Sequence, residues 1–470
     1  MQTFYWHDYE TWGVNPSLDK PVQFAGIRTD FDFAVIGEPL NILCKPALDT
    51  VPHPEACLVT GITPQYAEQH GLEEHAFIAA IHRELAQPQT CTVGYNSIRF
   101  DDEVTRYGLY RNFYDPYARE WQAGNSRWDI IDMLRLCYAL RPDGLAWPLR
   151  DDGVVSFKLE ALSAANGLLH ESAHDALSDV YATIALAKLV KQRQPKLFAH
   201  VFELRKKKNV EAELALGSGQ PVLHISSRFG AELGCGSLVL PVARHPSNTN
   251  EILCVDLRYS PQPLFDCSVE QLAEYLYTPH QQLPSDIGRI PLKSIHINRA
   301  PIVLTPRLLD EPACERLSLD LNQCEVHRAA LSAEPLLAKK LVDVFAHRQF
   351  DNGDRDVEQR LYDGFFSAAD RDVMNTIPTA DPKTLASSTY SFDDDRLPDL
   401  LFRYRARNFP ESLSAAEHEE WLAFCRSRFE RHDLDGKLAG IVNLREGDLT
   451  PNQHRVLDDL QAYLQDRRTI

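Results

Sequence analysis

A chain of 470 residues is too long for one core and points to two or three domains. Hydrophobic residues at 44% and charged residues at 25% are ordinary for a globular protein, and no apolar run approaches the roughly 20 residues of a membrane-spanning helix. The formal charge of −18 argues against a generally basic nucleic-acid binder, yet basic residues do gather locally, as in Arg205-Lys206-Lys207-Lys208.

The N-terminus, MQTFYWHDYE, has no basic stretch ahead of an apolar one, so no secretory leader is expected. Thr3 to Trp6 reads as a strand running into the acidic HDYE. Phe24 to Phe33 and Asn41 to Lys45 read as further strands, and Glu73 to Ala86 has helical periodicity. Thr90 to Tyr95 is a short β-like run feeding a helix over Asp101 to Asn112. Asp129 to Leu140 reads as strand then helix, and His174 to Gln192 as a long helix stopped near Pro195. Short β-like runs punctuated by Pro and Gly follow at Val222 to Ser226, Ser237 to Val242, Glu251 to Leu257 and Ile302 to Thr305. These suggest a small barrel. From about 352 the chain reads as helical and charged. Ten cysteines, none in a CxxC pair, suit buried thiols in a reducing cytoplasm rather than zinc ligands or disulfides.

Three patterns carry chemistry. In Asp8-Tyr9-Glu10 the two acids are two residues apart on a strand and share a face. Adjacent carboxylates repel unless a cation or proton separates them, and hard oxygen donors suit Mg²⁺ or Mn²⁺. A solvated strand end gives the same pattern. Asn96 to Asp101 follows a β run and opens a helix, which places Asp101 at the carboxyl edge of a sheet, where α/β folds put their sites. Asp is also a common helix cap. In His174-Asp175-Ala-Leu-Ser-Asp179, five helical residues turn about 500°, so His174 fits the preceding loop and Asp179 the second turn. A histidine titrating near 6.5 is suited to deprotonating a water.

Taken together in this order, strand-DxE, N-x₃-F-D and H-x₄-D resemble the DEDD exonuclease superfamily in its His-containing branch. The resemblance extends to the exonuclease I family through HDYETWG (7–13), VTGITP (59–64), GYNSIRFDDEVTRYGLYRNFYDPYAREW (94–121) and NSRWDIIDMLRLCYALRP (125–142). It continues in SFKLEALSAANG (156–167), AHDALSDVYATIALAKLVKQRQPKLF (173–198), LYDGFFSAADR (361–371) and YRARNFPESL (404–413). Residues 210 to 350 match less clearly. The resemblance implies an α/β fold: a ribonuclease H-like exonuclease domain over 1–200, an SH3-like β domain over 201–350 and a C-terminal α-helical domain over 351–470. It implies processive 3′→5′ degradation of single-stranded DNA to 5′-mononucleotides by a cytoplasmic monomer acting in repair and recombination. Asp8, Glu10, Asp101 and Asp179 would hold two Mg²⁺ ions, replaceable by Mn²⁺, with His174 as general base.

Single-stranded DNA is held by aromatic stacking and positive charge. At helical spacing Tyr117 and Trp121 share a face, a stripe that also suits a core. The resemblance favours DNA contact for these two, with Arg106, Arg135 and Lys158 as phosphate ligands. It also implies that the acidic C-terminal tail of single-stranded DNA-binding protein docks on arginines, of which Arg141 and Arg328 are candidates. An RNA or tRNA 3′-trimming enzyme would share the acids, and a binding module would have lost one of them.

Overall fold

A computed structural model of the chain describes residues 2–168, 175–284, 289–347 and 355–470. These form two compact units. The first gathers residues 2–126, 175–181 and 355–470, and the second 127–168, 182–284 and 289–347.

The first unit is built on β1 (Thr3–Thr11), β2 (Pro21–Thr29), β3 (Leu40–Leu43) and β4 (Thr90–Gly94), ordered β3-β2-β1-β4. β1 lies antiparallel to β2 and parallel to β4. Tyr5, Tyr9 and Phe24 pack against Phe77, Ile78 and Ile81 of a helix over Glu74–Leu85 and against Val104 and Leu109 of one over Asp101–Arg111. Phe4 and Trp6, pointing the other way, meet the ring of Phe33. β2 ends sooner than its apolar pattern suggests because the Asp30 carboxylate accepts the N–H groups of Asp32 and Ala34 at 2.8 Å each and turns the chain. Two short helices, α1 (Pro54–Thr60) and α2 (Pro64–His70), each with proline in the first turn, are too brief to show periodicity in sequence. We number the two helices above α3 (Glu74–Leu85) and α4 (Asp101–Arg111).

The C-terminal helices share this unit's core. Trp421, Cys425, Leu457 and Leu460, from Ala415–Arg431 and Pro451–Arg467, cluster with Trp12, Val22 and Cys57. β5 (Ser126–Asp129) starts beside β4, where the Thr92 hydroxyl donates to the Ser126 carbonyl at 3.5 Å, and leads into α5 (Ile130–Leu140). The Asp129 carboxylate caps α5 by accepting the Ile131 N–H.

The second unit carries an antiparallel sheet of β6 (Val222–Ile225), β7 (Gly236–Arg244), β8 (Glu251–Asp256), β9 (Leu292–His296) and β10 (Ile302–Leu304), in the order β10-β6-β7-β8-β9. Four of these match the predicted runs. β9 is a half-exposed edge strand in which Ile295 alone is buried, so it leaves no apolar run to read. Among the described residues no helix is long and apolar enough to cross a membrane, and the ten cysteines are free thiols, nine of them buried.

Candidate active site

The site forms where β4 stops and β1 continues. The two strands pair only from Thr3–Thr90 to Trp6–Val93. At Gly94 the chain turns away. A Cβ there would stand 2.6 Å from the Ser97 Cβ and 3.0 Å from the His7 carbonyl, so the turn requires glycine. Asn96 takes the left-handed conformation at φ 62°, which Asn tolerates well, and one 3₁₀ turn leads into α4. Past the end of β4, the Tyr9 N–H donates to Asp101 Oδ1 at 3.1 Å instead of to a strand. Asp101 is therefore the first residue of α4 and not its cap, and its buried carboxylate is tied to the backbone between Asp8 and Glu10. Thr105 fastens the same turn, donating to the Asp101 carbonyl at 2.8 Å and accepting from the Tyr9 hydroxyl at 3.1 Å.

The fourth acid arrives from α7, as we number the helix Ala176–Arg193 after the intervening α6 (Leu159–Ala165). The Asp175 carboxylate accepts the Ser178 N–H at 3.2 Å and the Gln23 side-chain amide at 3.0 Å, which fixes the start of α7 against β2. Asp179 falls in the first turn, not the second, because the helix starts after Asp175. One carboxylate oxygen each from Asp8, Glu10 and Asp179 lies within 4.8 Å of the others. His174 lies outside the described residues.

These acids destabilise one another as anions. Burial, then Asp101, Glu10 and Asp179, holds the Asp8 carboxyl well above the usual range. Burial, then Asp179, pushes Glu10 up to about 8. Oxygen donors alone, crowded together, fit hard divalent cations. The folded pKa of Glu10 is raised above its unfolded value of 4.5, so the fold loses stability as pH rises from there through about 8. At pH 9 in EDTA, Glu10→Gln is expected to raise the melting temperature, by on the order of 2 kcal/mol of stability, and to change little near pH 5. Divalent ions should reverse that ranking. Calorimetry at the two pH values checks it, and a variant less stable at pH 9 in EDTA would contradict it.

Arg106 is buried and held by Glu120 through two bonds of 2.7 and 2.9 Å, by Glu103 at 2.7 Å and by the Tyr362 hydroxyl at 3.0 Å. Tyr117 and Trp121 do not share a helical face. The Asp115 carboxylate accepts the N–H groups of Tyr117 and Ala118, and this nucleates a 3₁₀ turn over Ala118–Glu120 in place of an α-helix. Tyr117 is half-buried near Tyr362 and Phe365, ring centroids 6.5 and 5.9 Å away, whereas Trp121 is 64% exposed. Sequence reasoning passed over Tyr362 and Phe365, although both stand in LYDGFFSAADR; Phe365 is 85% exposed. In the second unit, Arg135 pairs with Asp132 at 2.5 Å and lies over the Phe157 ring at 5.7 Å, beside the exposed Lys158. Arg141 pairs with Asp310 at 3.3 Å, and Arg328 with Glu325 at 2.6 Å.

Three family models cover most of the chain: "Exonuclease" over 5–187, "Exonuclease I SH3-like domain" over 205–347 and "Exonuclease I C-terminal domain" over 355–467. The sheet, its helices and the converging acids thus define a ribonuclease H-like exonuclease domain, joined here to an SH3-like and a C-terminal helical domain. The exodeoxyribonuclease I of Escherichia coli (strain K12) is 47% identical over 436 residues, which is 93% of this chain and 92% of that one. The crystal structure of E. coli exonuclease I in complex with a dA16 oligonucleotide superposes with a TM-score of 0.95 at 44% identity, covering 99% of this chain and 100% of that one. The zinc-bound form of the E. coli ExoI–ssDNA complex also gives 0.95 at 44% identity, with 100% of each chain covered. This chain belongs to the exodeoxyribonuclease I family.

Proposed function

We propose that the chain is a metal-dependent 3′→5′ exonuclease that degrades single-stranded DNA to 5′-mononucleotides. The observation that carries this reading is the meeting of Asp8, Glu10 and Asp179 within 4.8 Å at the end of β1, in a family whose E. coli member crystallises with single-stranded oligonucleotides. Asp101, tied to the Tyr9 N–H, would complete the ligand set for two Mg²⁺ ions, with Mn²⁺ as substitute. Bound there, such ions supply charge neutralisation at the scissile phosphate and a more acidic attacking water. The chain's own residues then do the rest. The four carboxylates fix where the phosphate sits. A His174 ring nitrogen accepts the proton of the attacking water and so acts as general base. Trp121 and Tyr117 offer stacking surface to bases, and Lys158 and Arg135 offer charge to the phosphates, while Arg106, engaged by Glu103 and Glu120, backs the Tyr117 ring.

We read the organisation as an exonuclease domain over 1–200, an SH3-like domain over 201–350 and a helical domain over 351–470. The protein works processively as a monomer in a reducing cytoplasm, in DNA repair and recombination. Arg141 and Arg328 serve as forks for an acidic peptide end, that of single-stranded DNA-binding protein. The substrate is tested by initial rates on one sequence presented as single-stranded DNA, blunt duplex and RNA. The single strand is expected to be cut fastest by at least tenfold. Equal or faster cutting of RNA would replace DNA degradation with RNA trimming at the same acids.

A further inference from the structure

The loop between β1 and β2 starts after Thr11, one residue beyond Glu10, and its far leg is held by the C-terminal helices. The β1–β2 ladder shifts register between Glu10 and Thr11, so strand pairing alone fixes the loop poorly. Inside the loop, the Trp12 N–H donates to the Lys20 carbonyl at 3.0 Å and the Asn15 N–H to Asp19 Oδ2 at 2.8 Å. From the helix Ala415–Arg431, Arg428 Nη2 donates to the Leu18 carbonyl at 3.2 Å. The same guanidinium reaches Glu358 at 3.2 Å and Asp49 at 3.4 Å. Two residues further along the loop, Lys20 Nζ sits 2.7 Å from Asp49.

Charge counting separates the role of Arg428 from simple neutralisation. Asp49 and Glu358 face Lys20, Arg407 and Arg428, while Arg403 takes Asp356 at 2.5 Å and stands 3.9 Å from Glu358. Four cations meet three carboxylates in a buried place. Burial and the neighbouring Arg407 accordingly pull the Lys20 ammonium down to about 8. Without Arg428, Lys20 and Arg407 still balance Asp49 and Glu358. What is lost, besides its own pairs with Glu358 and Asp49, is the bond to Leu18.

We infer that Arg428 is a positioning residue for the nuclease site: through the Leu18 carbonyl it sets the β1–β2 loop, and hence the end of the strand bearing Asp8 and Glu10. The assignment rests on the proposed catalytic role of those acids. It gives the C-terminal helices a part in the chemistry that does not depend on their touching DNA.

The test uses the full-length protein and a DNA trinucleotide, too short to lie far from the acids. Arg428→Met keeps much of the apolar stem and removes the donors; Arg428→Lys keeps a charge and a donor. A bond from a charged donor is expected to be worth roughly a tenfold change. Arg428→Met should therefore lower kcat/KM for the trinucleotide about tenfold at a temperature where it remains folded, its melting temperature falling only by what the lost Glu358 and Asp49 pairs cost, and Arg428→Lys should recover part of the activity. Amide exchange should quicken across the loop in Arg428→Met. If the wild type hydrolyses the trinucleotide with Mg²⁺ while Arg428→Met matches it within twofold, the positioning role is overturned. Equal loss in both variants with a collapsed melting temperature overturns it too, in favour of a purely structural residue. A wild type inactive on every DNA tried sinks the nuclease reading itself.

Discussion

Asp8→Ala and Asp179→Ala are each expected to reduce turnover by at least about 10³-fold while single-strand binding survives within severalfold. The size follows from the several kcal/mol that ions placed at a phosphoryl centre contribute to its transition state, at 1.4 kcal/mol per factor of ten. The two side chains come from β1 and α7 and meet only through the fold, so losing either opens the cluster. Binding survives because the aromatic and basic residues proposed for the strand lie elsewhere in the chain. His174→Ala should cost less, about 10²- to 10⁴-fold, the range of a general base. Single-turnover rates beside binding titrations in Ca²⁺ or EDTA measure both quantities. An Asp179→Ala enzyme within tenfold of wild type would remove the carboxylates from the mechanism.

The second large effect is on stability. Asp49 is fully buried and serves three cations. It accepts from Arg407 at 3.2 and 2.8 Å and from Lys20 at 2.7 Å, with Arg428 at 3.4 Å. Asp49→Ala strands these cations against Glu358 alone. Breaking a buried pair from one side costs about 3–5 kcal/mol, and the expected result is a loss of that order in the unfolding of the first unit. The cluster also sets an acid limit. Arg407 and its neighbours hold the Asp49 and Glu358 carboxyls well below their usual range in spite of burial. A depressed folded pKa gives stability that is present above the unfolded pKa, near 4, and is lost as pH falls below it. The stability difference between wild type and Asp49→Ala should therefore shrink as pH drops from 6 to 3. Denaturant titrations across that range check it, and a constant difference would contradict the charge-based account.

The legible and illegible parts of the sequence divide along chain distance. Asp8 and Glu10 were readable because a strand alternates faces, Asp101 because it opens a helix after a recognisable break, and Asp179 because it lies near the start of another. These are rules of a few residues' reach. Family motifs, not periodicity, joined them into one site. The Asp49 cluster had no such signal: Lys20, Asp49, Glu358 and Arg407 look like ordinary surface charges until the fold brings residues more than 300 positions apart into contact. Tyr117 and Trp121 misled for a related reason. Their spacing fits a helix, but the Asp115 carboxylate captures the backbone first and makes a tighter turn. Arg106 shows a further limit, since nothing in sequence announces that Glu120 and Glu103 engage its guanidinium.

The most direct measurement is a time course on a 5′-labelled single-stranded oligonucleotide, run with Mg²⁺ and with EDTA. The account predicts a ladder that shortens one nucleotide at a time from the 3′ end, keeps its label until the last steps, and is absent in EDTA. Early release of labelled mononucleotide, internal cutting, or equal degradation in EDTA would contradict it.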